Sequence, residues 1–260
     1  MKITVFTSNQ PRHIALAHRL SEVCDELYSV QECNTVFPGQ VNDFFKKSDV
    51  MQTYFNNVIG AEKSLFGDIS FSKSNVRTLS IKSGDLSKLD REALSSALDS
   101  DVYVIFGASY IQGWLIDFLV EQNAINIHMG LSPYYRGSSC NFWALYDGNP
   151  SFVGATIHKL SKGLDSGPML YHCIPKYRTG DDPFVYTMRS VDVAQMSLVS
   201  RIANGQIFDM KPVEQDKSLE VRYTRNADFT DEVASEFLNQ KLELGNVEFA
   251  YPPLLHPFFG

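Results

Sequence analysis

Residues 101–106, Asp101-Val102-Tyr103-Val104-Ile105-Phe106, constrain the fold more than any other stretch of this 260-residue chain. The five apolar residues after Asp101 leave no polar face, so a strand made from them must be covered on both sides, as central strands of parallel sheets are. The opening of the chain agrees. Residues 3–6 read as a short buried strand, and a polar turn follows. Ile14, Leu16, Ala17, Leu20 and Val23 then mark one face of a helix, which Pro11 can begin without losing a needed N–H. Residues 27–31 read as the next strand. Strand, helix and strand in that order form a βαβ unit, which calls for parallel pairing. The first turn lacks the glycines of a G-x-G-x-x-G loop, so a dinucleotide cofactor is not supported.

Further on, residues 41–66 carry Phe44, Phe45, Val50, Met51, Tyr54, Phe55, Val58, Ile59 and Leu65 at spacings that predict one or two amphipathic helices. Residues 75–79 predict a strand, 86–98 a helix capped by Ser87, and 124–127 a strand whose carboxyl end delivers Asn126 and His128. Residues 129–140 read as a loop and 141–146 as the start of a helix. Residues 153–160 and 169–174 read as strands that can pair across the turn at Asp165, and 183–203 as a long amphipathic helix. The rest alternates short strand and helix patterns (220–224, 231–240). The expected fold class is α/β: a Rossmann-like, mostly parallel sheet over residues 1–205, followed by a short α+β extension over 206–260. Tyr251, Leu254, Leu255, Phe258 and Phe259 near the end are too few and too interrupted by proline to make their own core. They are expected to pack across a partner subunit, as in a homodimer, or to fill a groove on their own domain.

A formal net charge of −7 argues against a broad grip on nucleic acid. Cys24, Cys33, Cys140 and Cys173 show neither a C-x-x-C pair nor ligand spacing with histidine, so no metal site or disulfide framework is indicated, and Cys140 reads as a small buried thiol. Met1-Lys2 runs straight into a strand pattern, and no apolar run approaches the ~20 residues of a membrane span. No membrane association is expected, and a cytoplasmic location is.

The chemistry concentrates in Asn126-Ile127-His128, followed by Arg136-Gly137 and by Gly163-Leu164-Asp165-Ser166-Gly167. An amide, an imidazole and a carboxylate on two segments at strand ends suit transfer of a one-carbon acyl group. A carbonyl attacked by an amine develops negative charge on oxygen, which the Asn126 NH2 and a protonated His128 can each meet. The amine must also lose a proton, for which Asp165 is the nearest acceptor, directly or through His128 or a water. Taken singly, each residue has an ordinary explanation: a strand-end cap, a core histidine, an Asp turn.

The run from Ile125 to Gly137, followed by Gly154-Ala155-Thr156-Ile157-His158 and Gly163-Leu164-Asp165-Ser166-Gly167, resembles the N10-formyltetrahydrofolate-dependent formyltransferases, most strongly over residues 100–180. The resemblance implies the formyltransferase fold, N10-formyltetrahydrofolate as co-substrate, and Asn126, His128 and Asp165 as the catalytic positions. Folate is then expected along Phe106, Gly107, Ala108, Ser109, Tyr110, Ile111, Gly163 and Leu164. The acceptor is expected near Ser8, Asn9, Gln10, Arg12 and His13, where a helix N-terminus and the Arg12 charge would suit a phosphate, and near Tyr135, Arg136, Asn141, Trp143 and His158. Ser8-Asn9-Gln10-Pro11-Arg12-His13 and Ser138-Ser139-Cys140-Asn141-Phe142-Trp143 look most like the branch that formylates nucleotide-linked amino sugars, and within it like GDP-perosamine N-formyltransferases of O-antigen synthesis. Glycinamide ribonucleotide or methionyl-tRNA as acceptor, formyl hydrolysis, and a folate-binding protein without catalysis are the competing readings.

Overall fold

Described in the computed structural model are residues 1–33, 35–36, 40–41, 44, 47–240, 242, 244 and 250–260; the expectation for Phe45 lies outside them. In chain order come β1 (Lys2–Ser8), α1 (Pro11–Ser21), β2 (Glu26–Cys33), the two-residue strands β3 (Thr35–Val36) and β4 (Gln40–Val41), α2 (Asp49–Phe66) and β5 (Val76–Lys82). β6 (Val102–Phe106), α3 (Gly113–Glu121), β7 (Ile125–His128), β8 (Tyr135–Gly137), α4 (Cys140–Tyr146), β9 (Ala155–Lys159) and β10 (Met169–Ile174) follow. The chain closes with α5 (Pro183–Ala203), α6 (Gln206–Asp209), β11 (Arg222–Thr224), α7 (Asp231–Asn239) and β12 (Phe258–Phe259).

Eight strands form one sheet in the order β12-β10-β9-β7-β6-β1-β2-β5. The pairings from β5 through β2, β1 and β6 to β7 are all parallel, as is β10 with β12, whereas β9 runs antiparallel to both β7 and β10. The mostly parallel sheet read from the sequence is therefore present. The uninterrupted apolar run of β6 has a direct cause. Val102, Val104 and Phe106 pack with Leu16 and Leu20 of α1 and Leu198 of α5 on one face. Tyr103 and Ile105 pack with Leu115 and Leu119 of α3 on the other. A period-two strand covered on both sides needs an apolar residue at every position.

Because β2 and β6 flank β1 on opposite sides, the chain reverses its direction of travel across the sheet at β1. In open α/β sheets the crevice beyond the strands' carboxyl ends at such a reversal is where ligands sit. Ser8, Phe106 and His128 end their strands at that edge.

Several local expectations are corrected. Residues 86–98 do not make one helix but two short 3-10 turns, 86–88 and 95–98. Asp90 Oδ1 accepts from Ala93 N, and Ser87 Oγ accepts from Gln112 N instead of capping its own segment, so short polar side chains divert the backbone from helix. The helix expected from residue 41 starts at Asp49, where Ser48 Oγ accepts from Met51 N; Gln40–Val41 pair antiparallel with Thr35–Val36. The loop expected over 129–140 contains β8, which pairs parallel with β11.

The tail docks on its own chain. β12 pairs with β10, Leu255 exchanges hydrogen bonds with His172, and Tyr134 Oη donates to the Pro253 carbonyl at 2.6 Å. No described helix is long and apolar enough to cross a membrane.

The sheet-to-α5 packing gives a stability test. Leu198 is fully buried against β6 and α1, while Met196 on the same helix is exposed. Leu198→Ala is expected to cost about 2–5 kcal/mol through lost burial and a residual cavity, and Met196→Ala within about 0.5 kcal/mol. Urea midpoints at unchanged slope measure both; equal effects would refute the packing.

Candidate active site

Strand alternation sends Ile125 and Ile127 into the core and leaves Asn126 on the opposite face, paired in register with His158 of β9. The turn between β9 and β10 folds Asp165 over this strand end. Its backbone is left-handed, φ +44°, a region disfavoured for a residue carrying a Cβ. Gln215 Nε2 holds the turn by donating to the Asp165 and Gly167 carbonyls, each at 2.8 Å. Gly167 is needed for closure, since a Cβ there would lie 1.8 Å from the Lys159 carbonyl oxygen.

The three residues thus meet. Asp165 Oδ2 lies 3.3 Å from His128 Nδ1, and Asp165 Oδ1 accepts from Asn126 Nδ2 at 3.1 Å. His158 stands behind them. Its Nδ1 lies 2.8 Å from the Lys159 carbonyl, which only a protonated Nδ1 satisfies, so in the neutral ring Nε2 is an acceptor, taking the second Asn126 N–H at 3.0 Å. The tautomer therefore fixes which way the Asn126 amide faces.

Burial by itself lowers the pKa of His128, but the Asp165 carboxylate, together with Cys140, outweighs it and raises the value well above the ordinary one. Burial likewise pushes Asp165 up, and the facing His128 reverses this, holding the carboxyl far below the usual carboxylate range. The result is a buried imidazolium–carboxylate pair beside an oriented amide. Such a group can stabilise an oxyanion and move a proton.

Two cavities flank this cluster. A cleft of about 100 Å³ has apolar walls of Ile105, Ile116 and Leu160 and a polar wall of Asn126, His158 and Asp165. Ala108, Ser109, Tyr110, Ile111, Ser161, Gly163 and Leu164 also line it. Narrow and largely apolar, it suits a flat ring. The second cavity, about 250 Å³, is lined by Arg12, Tyr54, Met129, Cys140, Asn141, Thr187 and the rings of Phe142, Phe184 and Phe237. Cys140 Sγ lies 3.6 Å from His128 Nε2, so the second cavity reaches the cluster from another side. The sequence has no base next to Cys140; the chain places one there twelve residues back, at the end of β7.

Other candidates sit elsewhere. Tyr135 and Trp143 are corrected from acceptor contacts to core residues. Tyr135 donates to Asp147 and accepts from Asn149. Trp143 is buried with the Arg222 guanidinium 3.9 Å from its ring centre. The cause is helical geometry: Asn141 lines the cavity, and a residue two positions on faces nearly the other way. Arg136 pairs with Glu220 at 2.8 Å.

Phe106 is buried, and Gly107 (φ +68°) packs so closely on His13 that a Cβ would lie 2.3 Å from its Nε2. Burial pushes the His13 pKa down, so it carries no charge for an anion. Ser8 is buried with its hydroxyl on the Glu32 carbonyl, Gln10 is the N-cap of α1, and Asn9 lies between them at the end of the first turn. Arg12 faces the second cavity, but its N–H and Nη1 both donate to Glu62 Oε1, at 3.0 and 2.8 Å. A carboxylate of this chain holds the place expected for a phosphate. Glu62, fifty residues away, and Gln215 gave no signal in the sequence.

Comparison with known proteins places these features. The formyl transferase family profile matches residues 59–202, more than half of the chain. The chain is similar to formyltetrahydrofolate deformylase 2, mitochondrial, of Arabidopsis thaliana, at 29% identity over 45% of this chain and 36% of that protein. It is similar to methionyl-tRNA formyltransferase of Thermosynechococcus vestitus, at 39% identity over 28% of this chain and 22% of that protein. Both matches cover well under half of the relative's own length. Among solved structures, a sugar N-formyltransferase from a Shewanella species superposes with a TM-score of 0.52 and 15% identity, covering 88% of this chain and 78% of that one, a likeness of fold.

The ion pair sets a pH expectation. A raised His128 pKa contributes stability in full below about pH 6.5, lost as pH rises through the folded value; a depressed Asp165 pKa contributes in full above about pH 3.9, lost in acid. The pair therefore stabilises most between those limits. In Asp165→Asn, burial acts on His128 unopposed by that carboxylate, and its titration, followed by imidazole NMR, is expected to fall sharply, leaving the ring neutral at pH 7. A ring still cationic at pH 8 in the variant would refute the pairing.

Proposed function

The chain belongs to the formyl transferase family, and we propose that it carries a formyl group from N10-formyltetrahydrofolate to the amino group of a nucleotide-linked amino sugar. The observation that carries this reading is the Asn126–His128–Asp165 cluster set between a narrow apolar cleft and a roomier cavity with mixed lining. The cleft suits a pterin: apolar walls for its faces, and the backbone of 108–111 and 163–165 for its amide-like edges. When bound, the donor supplies the formyl carbon and N10 as leaving group. The larger cavity, with aromatic rings beside Asn141, Thr187 and Arg12, whose side chains also hold internal hydrogen bonds, suits a sugar ring carrying the attacking amine.

The residues divide the work as follows. The amine nitrogen bonds to the formyl carbon and the carbon–N10 bond breaks, with N10 taking up a proton. Asn126 meets the developing oxyanion by giving it the N–H now donated to Asp165, while His158 keeps the amide facing correctly. His128 supplies the second, charged donor. Asp165 is a weak base while His128 is cationic. Once His128 passes its proton to the oxyanion, the charge that depresses the carboxyl disappears, and Asp165 can accept the amine's proton; as the carbon–N10 bond breaks, that proton goes on to N10 and the hydroxyl proton returns to His128, restoring both groups.

GDP-perosamine is the proposed acceptor on the sequence resemblance alone. The net charge of −7 weighs against a tRNA. The deciding test incubates the protein with N10-formyltetrahydrofolate and, separately, GDP-perosamine, other amino-sugar nucleotides, glycinamide ribonucleotide, methionyl-tRNA or water, and follows tetrahydrofolate release. Turnover confined to an amino-sugar nucleotide is expected; turnover with water or tRNA alone would overturn the acceptor. Asn126→Ala and His128→Ala should each lower kcat by about 10²–10³-fold, the double variant by less than the product, because both act on one transition state. Near wild-type kcat in either single variant would remove the cluster from catalysis.

A further inference from the structure

We propose that Glu32, which touches neither cavity, is a positioning residue for the donor cleft, setting the backbone of the turn after β6 that forms one of its walls. The proposal rests on the folate reading of that cleft. Glu32 is near the carboxyl end of β2 and is only 2% exposed. Its carboxylate is the shared acceptor of two separate segments. Oε2 accepts from Ser109 N at 2.5 Å, and Oε1 from Ser109 Oγ at 2.8 Å. From the other segment, Gly84 N reaches Oε1 at 2.8 Å and Leu86 N at 3.4 Å. All four donors are neutral.

A carboxylate taken out of water is costly, and what offsets the cost here is hydrogen bonding to fixed backbone N–H groups. The exchange runs both ways: the charge is tolerated only while both turns hold their N–H groups inward. Ser109 lines the cleft, whereas Gly84 and Leu86 do not. His13 packs on Gly107 two residues earlier, so the turn is held at its start by a ring and at its centre by a carboxylate. A glutamine would be nearly isosteric, but one of its two oxygens becomes an NH2 that faces N–H donors. Glu32→Gln therefore alters the turn without removing bulk.

Two sets of measurements test this, one on variants and one on the wild-type protein. Calorimetric binding of 5-formyltetrahydrofolate, a stable donor analogue, to Glu32→Gln should be weaker than to wild type by about tenfold, if binding must re-order a turn that has lost about one charge-assisted hydrogen bond of support. The donor KM should rise similarly, with kcat and acceptor KM within about twofold. Leu198→Ala, destabilising but remote from the cleft, should leave the donor KM unchanged, which separates positioning from general loss of stability. The second set needs no variant. In wild-type protein, 5-formyltetrahydrofolate should slow hydrogen exchange at the amides of Gly84 and Leu86 as well as Ser109, because one carboxylate ties them together. Unchanged analogue affinity in folded Glu32→Gln, or protection at Ser109 without any at Gly84 and Leu86, would overturn the role of Glu32. Failure of the wild-type protein to bind the analogue would instead overturn the folate reading itself, and the inference with it.

Discussion

Everything at the candidate active site depends on a carboxylate kept ionised in a place that disfavours charge. Asp165 is largely buried and sits on a left-handed turn, yet its pKa lies far below the usual range because His128 faces it. Remove that contact and each partner loses its reason to be charged. The supports follow from this need. Gln215 grips the turn from both ends, Gly167 lets it approach β9, and the Asn126 amide is fixed by an imidazole whose own tautomer is fixed by a backbone carbonyl. The positions of the three side chains are thus fixed by contacts made during folding.

The same device recurs around the two cavities. Glu32 joins the turn after β6 to the turn after β5, and Glu62 of α2 joins the start of α1 through Arg12. In each case a buried carboxylate ties together segments that are far apart in sequence. Packing alone would leave these loops at the edge of the sheet only loosely placed, since the strands end before reaching them. Hydrogen bonds to an ionised acceptor are directional and expensive to break in low dielectric, so they hold geometry where apolar contact cannot.

The Arg12–Glu62 pair also changes what the second cavity offers at its edge. With the guanidinium and the first helical N–H already engaged, the N-terminus of α1 is not an open anion site. Asn141 and Thr187 are engaged in the same way, Asn141 with Ser190 and the Gly154 N–H and Thr187 with the Pro183 and Phe184 carbonyls, beside the aromatic walls of the cavity.

The sequence by itself determined the elements whose pattern reports on one face or two. The apolar runs of β1 and β6 and the period of α5 were legible because burial of a repeating element leaves a repeating signature; Asn126, His128 and Asp165 stood out through their chemistry and the resemblance to formyltransferases, not through any period. The stretch 86–98 misled because its apolar spacing is helical, while the competition from Ser87 and Asp90 for backbone N–H groups depends on where Gln112 and Ala93 lie. Trp143 misled because helix phase is set by the packing of α4, not by composition. Only the tertiary structure decided which side chains meet: Cys140 against His128, Glu62 on Arg12, Gln215 on the Asp165 turn, and the tail as a sheet strand instead of a loose end. Such contacts join residues many positions apart through single directional bonds, and a single bond leaves no periodicity along the chain for a sequence to show.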